Sequence, residues 1–245
     1  MHGIDVETTA RSPAEGDLRL VQLSDGSRAL VFDVFRQEPT LIRDAIEAHD
    51  ELVAHNAVFE RAWLKAALDV VRPDLHDTMI MSQVYYTGTR AALGRGFSHS
   101  LANVVKRELK RELAKDEQVS DWGAAALTRE QLEYAARDAA VLPEHAATLM
   151  RKIERAGLKK VYELERRVSY AVDAMQRRGA AIDTDRLEAM IEEATERAER
   201  LKAELEAEWG INSGSGKQLI EHFELEGRRG WPKTNGGKPK TDQEA

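Results

Sequence analysis

The sequence contains no cysteine among its 245 residues, which excludes disulfide bonds and thiolate metal sites. It also contains no apolar run long enough to cross a bilayer, and its first residues show no signal-peptide pattern. We therefore expect a cytoplasmic protein that has no membrane partner.

Basic residues are fewer than acidic residues. The chain has 36 lysines and arginines and 43 aspartates and glutamates, which gives a formal net charge of −7. This balance argues against a nucleic-acid-binding protein. The objection loses weight if the acids form a metal site, since bound cations invert the local field. Basic residues also cluster at 106–111, 151–160 and 228–240, where a solvated surface and a nucleic-acid contact both remain open.

The apolar pattern predicts an α/β fold in the first part of the chain. Strand-like runs alternate with helix-like runs, and Asp25-Gly26 marks a turn between two of the strands. Such interleaving is typical of a sheet flanked by helices. The predicted elements are, in order, strands at 3–8, 18–23 and 29–34, a helix at 40–49, a strand at 52–56 and a helix at 58–68.

The remainder of the chain is predicted to be mostly helical. Ser100 is the expected N-cap of a helix at 101–113. Thr128 and Gln131 form a potential capping box at the start of a long helix, which Pro143 is expected to bend.

The last third has a different character, because basic and polar residues dominate between 149 and 162. Helices are predicted at 161–178 and from Thr184 to about Gly210. A Gly-, Lys- and Pro-rich tail at 227–245 is expected to be flexible. We therefore expect two domains, at residues 1–155 and 156–245.

Three short blocks each place two polar groups on one face of a predicted element. Residues two apart in a strand point the same way, and residues four apart in a helix share a face. The pairs are Asp5 with Glu7 in a strand, Asn56 with Glu60 in a helix, and Tyr134 with Asp138 in another helix.

Four carboxylates brought together would repel one another unless divalent cations lay between them. Such an arrangement is what two-metal phosphodiester hydrolysis requires. Taken singly, the motifs have simpler explanations, since Asp5 could be a turn acid and Tyr134 a core aromatic. His55 and His99 are more typical of capping or core residues than of metal ligands.

The three blocks resemble the motifs of the DEDD superfamily of 3′–5′ exonucleases, in its tyrosine-bearing branch. That branch includes ribonuclease D-like proteins and the proofreading domains of family A DNA polymerases. The resemblance covers residues 3–150 and implies a ribonuclease H-like α/β domain with a mixed sheet flanked by helices. The matching runs are Asp5-Val6-Glu7-Thr8, Asn56-Ala57-Val58-Phe59-Glu60 and Tyr134 to Asp138, supported by Asp77-Thr78-Met79, His99-Ser100-Leu101 and Ser120-Asp121-Trp122.

The resemblance also implies a role for each residue of these motifs. Asp5 would bridge two Mg²⁺ or Mn²⁺ ions, and Glu7 and Asp138 would complete the site of one of them. Glu60 would hold the other ion through water, and Tyr134 would orient the attacking water. The residues implied to contact the terminal nucleotide are Thr8, Asn56 and Trp122, although a core role explains Trp122 equally well.

One position departs from the family pattern, because Glu60 stands where the commonest residue is aspartate. The extra methylene moves the carboxylate by about one C–C bond, which a directly bound Mg²⁺ would tolerate poorly and a water-mediated contact would tolerate well. Full activity, reduced or Mn²⁺-favoured activity and an inactive nuclease fold all remain open.

Residues from about 161 onward resemble the start of a family A polymerase domain, and this implies an all-α partial thumb. The resemblance rests on Met175 to Asp183, on Ile211-Asn212-Ser213 with Lys217-Gln218-Leu219, and on Lys233-Thr234 and Thr241-Asp242. The palm and fingers have no counterpart, so no polymerase activity is expected.

The favoured function is a proofreading-type exonuclease that acts on single-stranded DNA or on a frayed 3′ end and releases nucleoside monophosphates. A separate polymerase portion is a further expected partner. The alternatives are a ribonuclease D-like exoribonuclease and a non-catalytic DNA-binding module.

Overall fold

The computed structural model describes residues 1–89, 97–113 and 120–225. The tail at 227–245, with its basic residues and its polymerase-like runs, lies outside the described residues. The strands are β1 (His2–Thr8), β2 (Leu18–Ser24), β3 (Ala29–Asp33), β4 (Leu52–Ala54) and β5 (His76–Asp77). The helices are α1 (Pro39–Glu47), α2 (Ala57–Leu68), α3 (Thr78–Tyr86), α4 (Leu101–Leu109), α5 (Arg129–Arg155), α6 (Lys159–Arg178), α7 (Thr184–Trp209) and α8 (Gly216–Leu225).

The strands form one mixed sheet in the order β3-β2-β1-β4-β5. The pairs β1–β2 and β2–β3 are antiparallel, whereas β1–β4 and β4–β5 are parallel. Strand β1 therefore lies at the centre, where its side chains meet helices instead of solvent. The expected mixed α/β sheet flanked by helices is confirmed.

Two apolar clusters hold the helices against the two faces of the sheet. The first joins the inward side chains of β1 and β2, such as Ile4 and Val21, to α1 and α2. The second joins α3, α4 and α5 around Met81, Val104 and Leu149. Burying side chains of this size stabilises a fold by about 1.5–3 kcal/mol each.

Local differences from the predicted elements have identifiable causes. The pattern did not predict β5 and α3 as separate elements, because β5 has only two residues. Helix α4 ends at Leu109, short of the predicted residue 113, because Lys110 adopts the left-handed conformation with φ 58°. Pro143 lies within α5, which continues from Arg129 to Arg155.

The backbone contacts divide the chain into a unit at Met1–Gly179 and a second unit that begins at Ala180. The expected division between 155 and 156 falls between α5 and α6, whereas α6 packs on α2, α3 and α5 of the first unit. The reason is burial, since Tyr162 and Asp173 of α6 are almost fully enclosed by that unit. No helix among the described residues is both long and apolar enough to span a membrane.

Candidate active site

Strand β1 presents its two acids on the face opposite the apolar core. Ile4 and Val6 are buried in the first apolar cluster, while Asp5 and Glu7 alternate with them and are only partly covered. The strand period of two therefore puts both carboxylates on the same side, as the spacing predicted.

Helix α5 reaches that side of the strand because residue 3 is glycine. A Cβ atom on Gly3 would lie 2.2 Å from the carbonyl oxygen of Ala139 and 3.1 Å from Cβ of Leu142. The absence of a side chain lets the helix backbone pack directly on β1. Asp138 precedes Ala139 and is thereby carried to the neighbourhood of Asp5.

Helix α2 carries the third acid, and its start is held by a buried carboxylate on β5. The backbone N–H groups of Asn56 and Ala57 donate to the two carboxylate oxygens of Asp77, at 3.1 and 2.9 Å. The N–H groups of Met79 and Ile80 donate to Asp77 as well, at 2.7 and 3.2 Å. Asp77 therefore satisfies the first N–H groups of two helices, α2 and α3, at once.

Asp77 is a positioning group whose importance the sequence analysis missed. Asp77-Thr78 was noted only as a supporting motif, although an acid directly before a helical run is a signal for an N-cap. What could not be read from the sequence is that the same carboxylate also anchors Asn56, which adopts a left-handed conformation with φ 75°.

Glu60 lies one turn into α2 and is almost fully buried, with 2% of its surface exposed. Burial raises the pKa of its carboxyl well above the ordinary value, and the nearby charge of Asp5 adds to this effect. Its Oε2 atom has no hydrogen-bond partner. A buried oxygen without a partner is costly, and a bound cation would satisfy it.

The remaining acids have pKa values displaced in the same direction. Burial, followed by the charge of Asp138, raises the pKa of Asp5 to about 8. Burial, followed by the charges of Asp5 and Asp138, raises the pKa of Glu7 to about 9. Burial raises the pKa of Asp138 to about 6. Buried carboxylates, some of which are further raised in pKa by a neighbouring acid, form a site that a divalent cation would stabilise.

Tyr134 lies on the same face of α5 as Asp138, one turn earlier. Its hydroxyl donates a hydrogen bond to the Asp138 carboxylate, and this contact partly opposes the rise in the pKa of Asp138. Burial and the charge of Asp138 raise the pKa of the Tyr134 phenol above its ordinary value. The hydroxyl is therefore protonated at neutral pH and can donate a hydrogen bond, but it cannot act as a base.

The three expected substrate residues border open space beside the acids. A cavity of about 420 Å³ is lined by Glu7, Thr8 and Trp122. A neighbouring cavity of about 680 Å³ is lined in part by Asn56, and the two cavities share Arg11 and Phe59 in their walls. Both volumes are in the range of small-molecule sites.

Trp122 serves the core as well as this cavity. It is 5% exposed, and its ring lies 6.4 Å from that of Tyr134. The buried Arg19 guanidinium donates to the carbonyl oxygens of Trp122 and Ala124, at 3.4 and 2.6 Å, and so fixes this segment. Arg19 is a second positioning residue that the sequence analysis missed.

The two histidines discussed above are engaged with hydroxyl groups. His55 Nδ1 lies 2.8 Å from Thr78 Oγ1, and His99 Nδ1 lies 2.8 Å from Ser82 Oγ. Neither imidazole contributes to the group of acids.

The donor set suits a hard divalent cation, because it consists of carboxylate oxygens. Among the described residues, no three His, Asp or Glu side chains yet stand close enough to form a ready-made metal site. One buried oxygen of Glu60 has no hydrogen-bond partner in the protein. The residues therefore fit a cation that would draw the carboxylates together.

The family model for 3′–5′ exonucleases matches residues 2–154, which include all the acids of the site. The chain belongs to the 3′–5′ exonuclease family. The match confirms the DEDD-type resemblance and makes this domain a nuclease of a class that depends on divalent metal ions. Helix α6 lies beyond the matched residues.

Individual relatives agree with the family assignment. DNA polymerase I of Aquifex aeolicus (strain VF5) is 27% identical over 262 residues, an alignment that covers 99% of this chain and 43% of the polymerase. This chain therefore spans less than half of that relative's length.

Solved structures of nucleases share the fold. Brucella melitensis NrnC bound to pGG is 28% identical with a TM-score of 0.60, and the match covers 74% of this chain and 88% of NrnC. A further structure of NrnC has bound Mg²⁺ and is 27% identical with the same TM-score of 0.60. Escherichia coli RNase D, at 24% identity and a TM-score of 0.59, has the same fold over 71% of this chain and 45% of RNase D.

Proposed function

We propose that this chain is a 3′–5′ DNA exonuclease of the proofreading type that uses two Mg²⁺ or Mn²⁺ ions. Asp5, Glu7 and Asp138 would hold one ion, and Asp5 with Glu60 would hold the other. When bound, the ions would supply an activated water and would stabilise the charge that develops on the leaving oxygen. The observation that carries this proposal is the group of acids on β1, α2 and α5, in which a buried Glu60 oxygen has no hydrogen-bond partner and the charge of Asp5 or Asp138 raises the pKa of neighbouring acids.

The protein's own groups position the two reactants. The Tyr134 hydroxyl, which donates a hydrogen bond to Asp138, would hold the attacking water by accepting a hydrogen bond from it. The water oxygen attacks the terminal phosphorus, and the bond from phosphorus to the upstream 3′ oxygen breaks. That oxygen takes up a proton, so the products are a nucleoside 5′-monophosphate and a new 3′-hydroxyl end.

The two cavities give the substrate a path with room for more than one nucleotide. Thr8 and Trp122 would contact the terminal nucleotide in the smaller cavity, and Asn56 would lie between this nucleotide and the next. Arg11, which borders both cavities, would pair with a phosphate. Single-stranded DNA or a frayed 3′ end is the proposed substrate, because a terminal nucleotide that is not base-paired is free to enter these cavities.

The preference for DNA is supported by the C-terminal part of the chain. The similarity to a DNA polymerase I extends over 99% of this chain and so includes α7 and α8. In this proposal a polymerase portion is a partner of the domain. A short oligonucleotide is the second candidate substrate, because the similar NrnC structure contains pGG.

A direct assay separates these candidates. Purified protein is incubated with 5′-labelled single-stranded DNA, with RNA of the same sequence and with pGG, each in Mg²⁺ or Mn²⁺. We expect a ladder that shortens from the 3′ end, release of monophosphates, and DNA degraded at least about tenfold faster than RNA. Faster degradation of RNA or of pGG would overturn the DNA assignment, and no release from any substrate would overturn the exonuclease proposal.

Tyr134→Phe tests the role of the hydroxyl. We expect kcat to fall about 10–100-fold. A hydroxyl that only positions the water should contribute to the rate at the lower end of the range for general acid–base groups, or below it. KM should change little because the ring remains in place. Steady-state rates on single-stranded DNA measure both constants, and unchanged kcat would exclude the hydroxyl from the reaction.

Glu60→Asp restores the residue that is commonest in the family and tests whether Glu60 binds its metal ion directly or through water. Because Glu60 would act through water, we expect this variant to keep kcat within about threefold of the parent. Glu60→Gln, which removes the charge, should lower kcat about tenfold or more. A large increase in kcat for Glu60→Asp would instead indicate that the longer glutamate side chain lowers the activity of the parent protein. The comparison uses initial rates over a Mg²⁺ titration.

A further inference from the structure

One buried ion pair connects the metal-site helix α2 to helix α6, which the family match does not include. Arg61 Nε lies 3.6 Å from Asp173 Oδ2, and the two side chains are 2% and 1% exposed. Arg61 Nη2 also donates to Ser169 Oγ at 2.7 Å, and its guanidinium lies 5.9 Å from the centre of the Tyr170 ring. Three residues within about one turn of α6, at positions 169, 170 and 173, thus contact a single arginine of α2.

The arginine concerned follows Glu60 directly in the sequence. Its positive charge already acts on the Glu60 carboxylate. An arginine side chain is long and carries five donors, so an unengaged Arg61 could turn toward Glu60 and form a strong charge-assisted hydrogen bond. In the structure this does not happen, and Glu60 Oε2 is left without a partner.

Stability alone does not explain the buried pair. The cost of removing two charges from water often exceeds their attraction, and apolar residues of similar size frequently serve as well. Asp173 also pairs with Arg177 on its own helix, yet its Oδ1 has no hydrogen-bond partner. The pair is therefore better explained by what it prevents at the neighbouring acid.

We propose that Asp173 is a positioning residue that holds Arg61 on α6 and so keeps the Glu60 carboxylate free to bind a cation. This inference rests on the proposed function, because it requires the Glu60 carboxylate to help hold a metal ion, through water as proposed above. It extends the catalytic unit beyond residue 154 to include α6. It also predicts that the loss of Mn²⁺ affinity and activity in an Asp173 variant is caused by the released Arg61 side chain. Replacing Arg61 as well should therefore restore both.

The test follows Mn²⁺ binding by calorimetry and, in parallel, degradation of single-stranded DNA in the full chain. We expect Asp173→Asn to weaken Mn²⁺ binding about tenfold and to lower kcat by a similar factor, with KM changed less than about twofold. Adding Arg61→Met to Asp173→Asn removes the competing guanidinium. This double variant should recover Mn²⁺ affinity and kcat to within about threefold of the parent.

Two further variants distinguish a positioning role of Asp173 from a general loss of structure. In a Glu60→Gln background, Asp173→Asn should cause no additional loss of Mn²⁺ affinity, because the group it protects is already neutral. Glu108→Gln is the matched control, since Glu108 is a fully buried carboxylate that pairs with Lys152 between α4 and α5. This control should lower the melting temperature without changing Mn²⁺ affinity.

The outcomes also distinguish this inference from the proposed function. The positioning role is overturned by unchanged Mn²⁺ affinity in Asp173→Asn, by no recovery with Arg61→Met, or by an equal loss in the Glu60→Gln background. It is also overturned if Glu60→Gln binds Mn²⁺ as the parent does, and the exonuclease proposal survives that result. If the parent binds Mn²⁺ but degrades no nucleic acid, the exonuclease proposal fails while the positioning role stands on the binding data.

Discussion

Asp5→Asn is expected to lower kcat for nucleotide release by roughly 10³-fold or more, equivalent to about 4 kcal/mol of transition-state stabilisation. Asp5 is the acid shared by the whole site, since its charge raises the pKa of both Glu7 and Glu60. An amide keeps the shape of the side chain but removes the charge that two cations would share. Initial rates on 5′-labelled single-stranded DNA in saturating Mg²⁺ measure the effect.

The matched control is Asp44→Asn, an exposed acid on α1. It changes the net charge of the protein by the same amount without touching the site, so its rate should equal that of the parent. The melting temperature of metal-free Asp5→Asn at pH 7 should not fall, because the Asp5 carboxyl, with a pKa of about 8, is already mostly neutral there and the amide has a similar shape. Retention of more than about a tenth of the parent rate would show that Asp5 is not a shared metal ligand.

The second large effect concerns stability in the absence of metal, which we expect to decrease as the pH rises from 7 to 9. The pKa values of Asp5 and Glu7 in the folded protein are about 8 and about 9, well above their unfolded values. The folded state therefore retains protons that the unfolded state has lost, and its stability falls as those protons leave. The expected loss over this interval is roughly 2–4 kcal/mol.

Between pH 7 and 9 the change in stability reports on the acids and hardly on the histidines. His55 and His145 have lowered pKa values, about 4 in both cases, so they are neutral in the folded state above pH 7 and, with an ordinary unfolded value of about 6.5, they contribute little slope there. Asp138, with a pKa of about 6, has already lost most of its proton by pH 7. Asp5 and Glu7 thus titrate between pH 7 and 9, and Glu60, whose pKa burial also raises well above the ordinary value, acts on stability in the same direction.

Urea unfolding at several pH values, with EDTA or with saturating Mg²⁺, measures this dependence. Magnesium should abolish or reverse the loss, because the bound ion favours the charged carboxylates. Asp5→Asn should flatten the slope in EDTA. Equal stability at pH 7 and pH 9 in EDTA would contradict the raised pKa values of Asp5 and Glu7.

The candidate site residues could be picked out from the sequence because each pair is local. Asp5 and Glu7 are separated by one strand period, and Tyr134 and Asp138 by one helical turn, so local geometry alone puts each pair on one face. The capping box of Thr128 and Gln131 is confirmed for the same reason, with hydrogen bonds of 2.8 and 3.2 Å between residues three apart.

Other features depend on residues that are distant in sequence, and no local pattern reports them. Gly3 is an ordinary strand residue until α5 packs against it, and only then does the missing side chain become the reason that Asp138 reaches Asp5. The position of Asp77 directly before a helical run predicts that it caps α3. Nothing in the local sequence predicts that it also accepts a hydrogen bond from the backbone N–H of Asn56.

The sequence by itself determined the α/β class, the order of the acid motifs and the membership in an exonuclease family, because these follow from periodicity and from short motifs. Only the tertiary structure decided that α6 belongs to the first unit and that Arg61 is held by Asp173. The physical reason is that burial and charge pairing act between surfaces that meet only after the chain has folded.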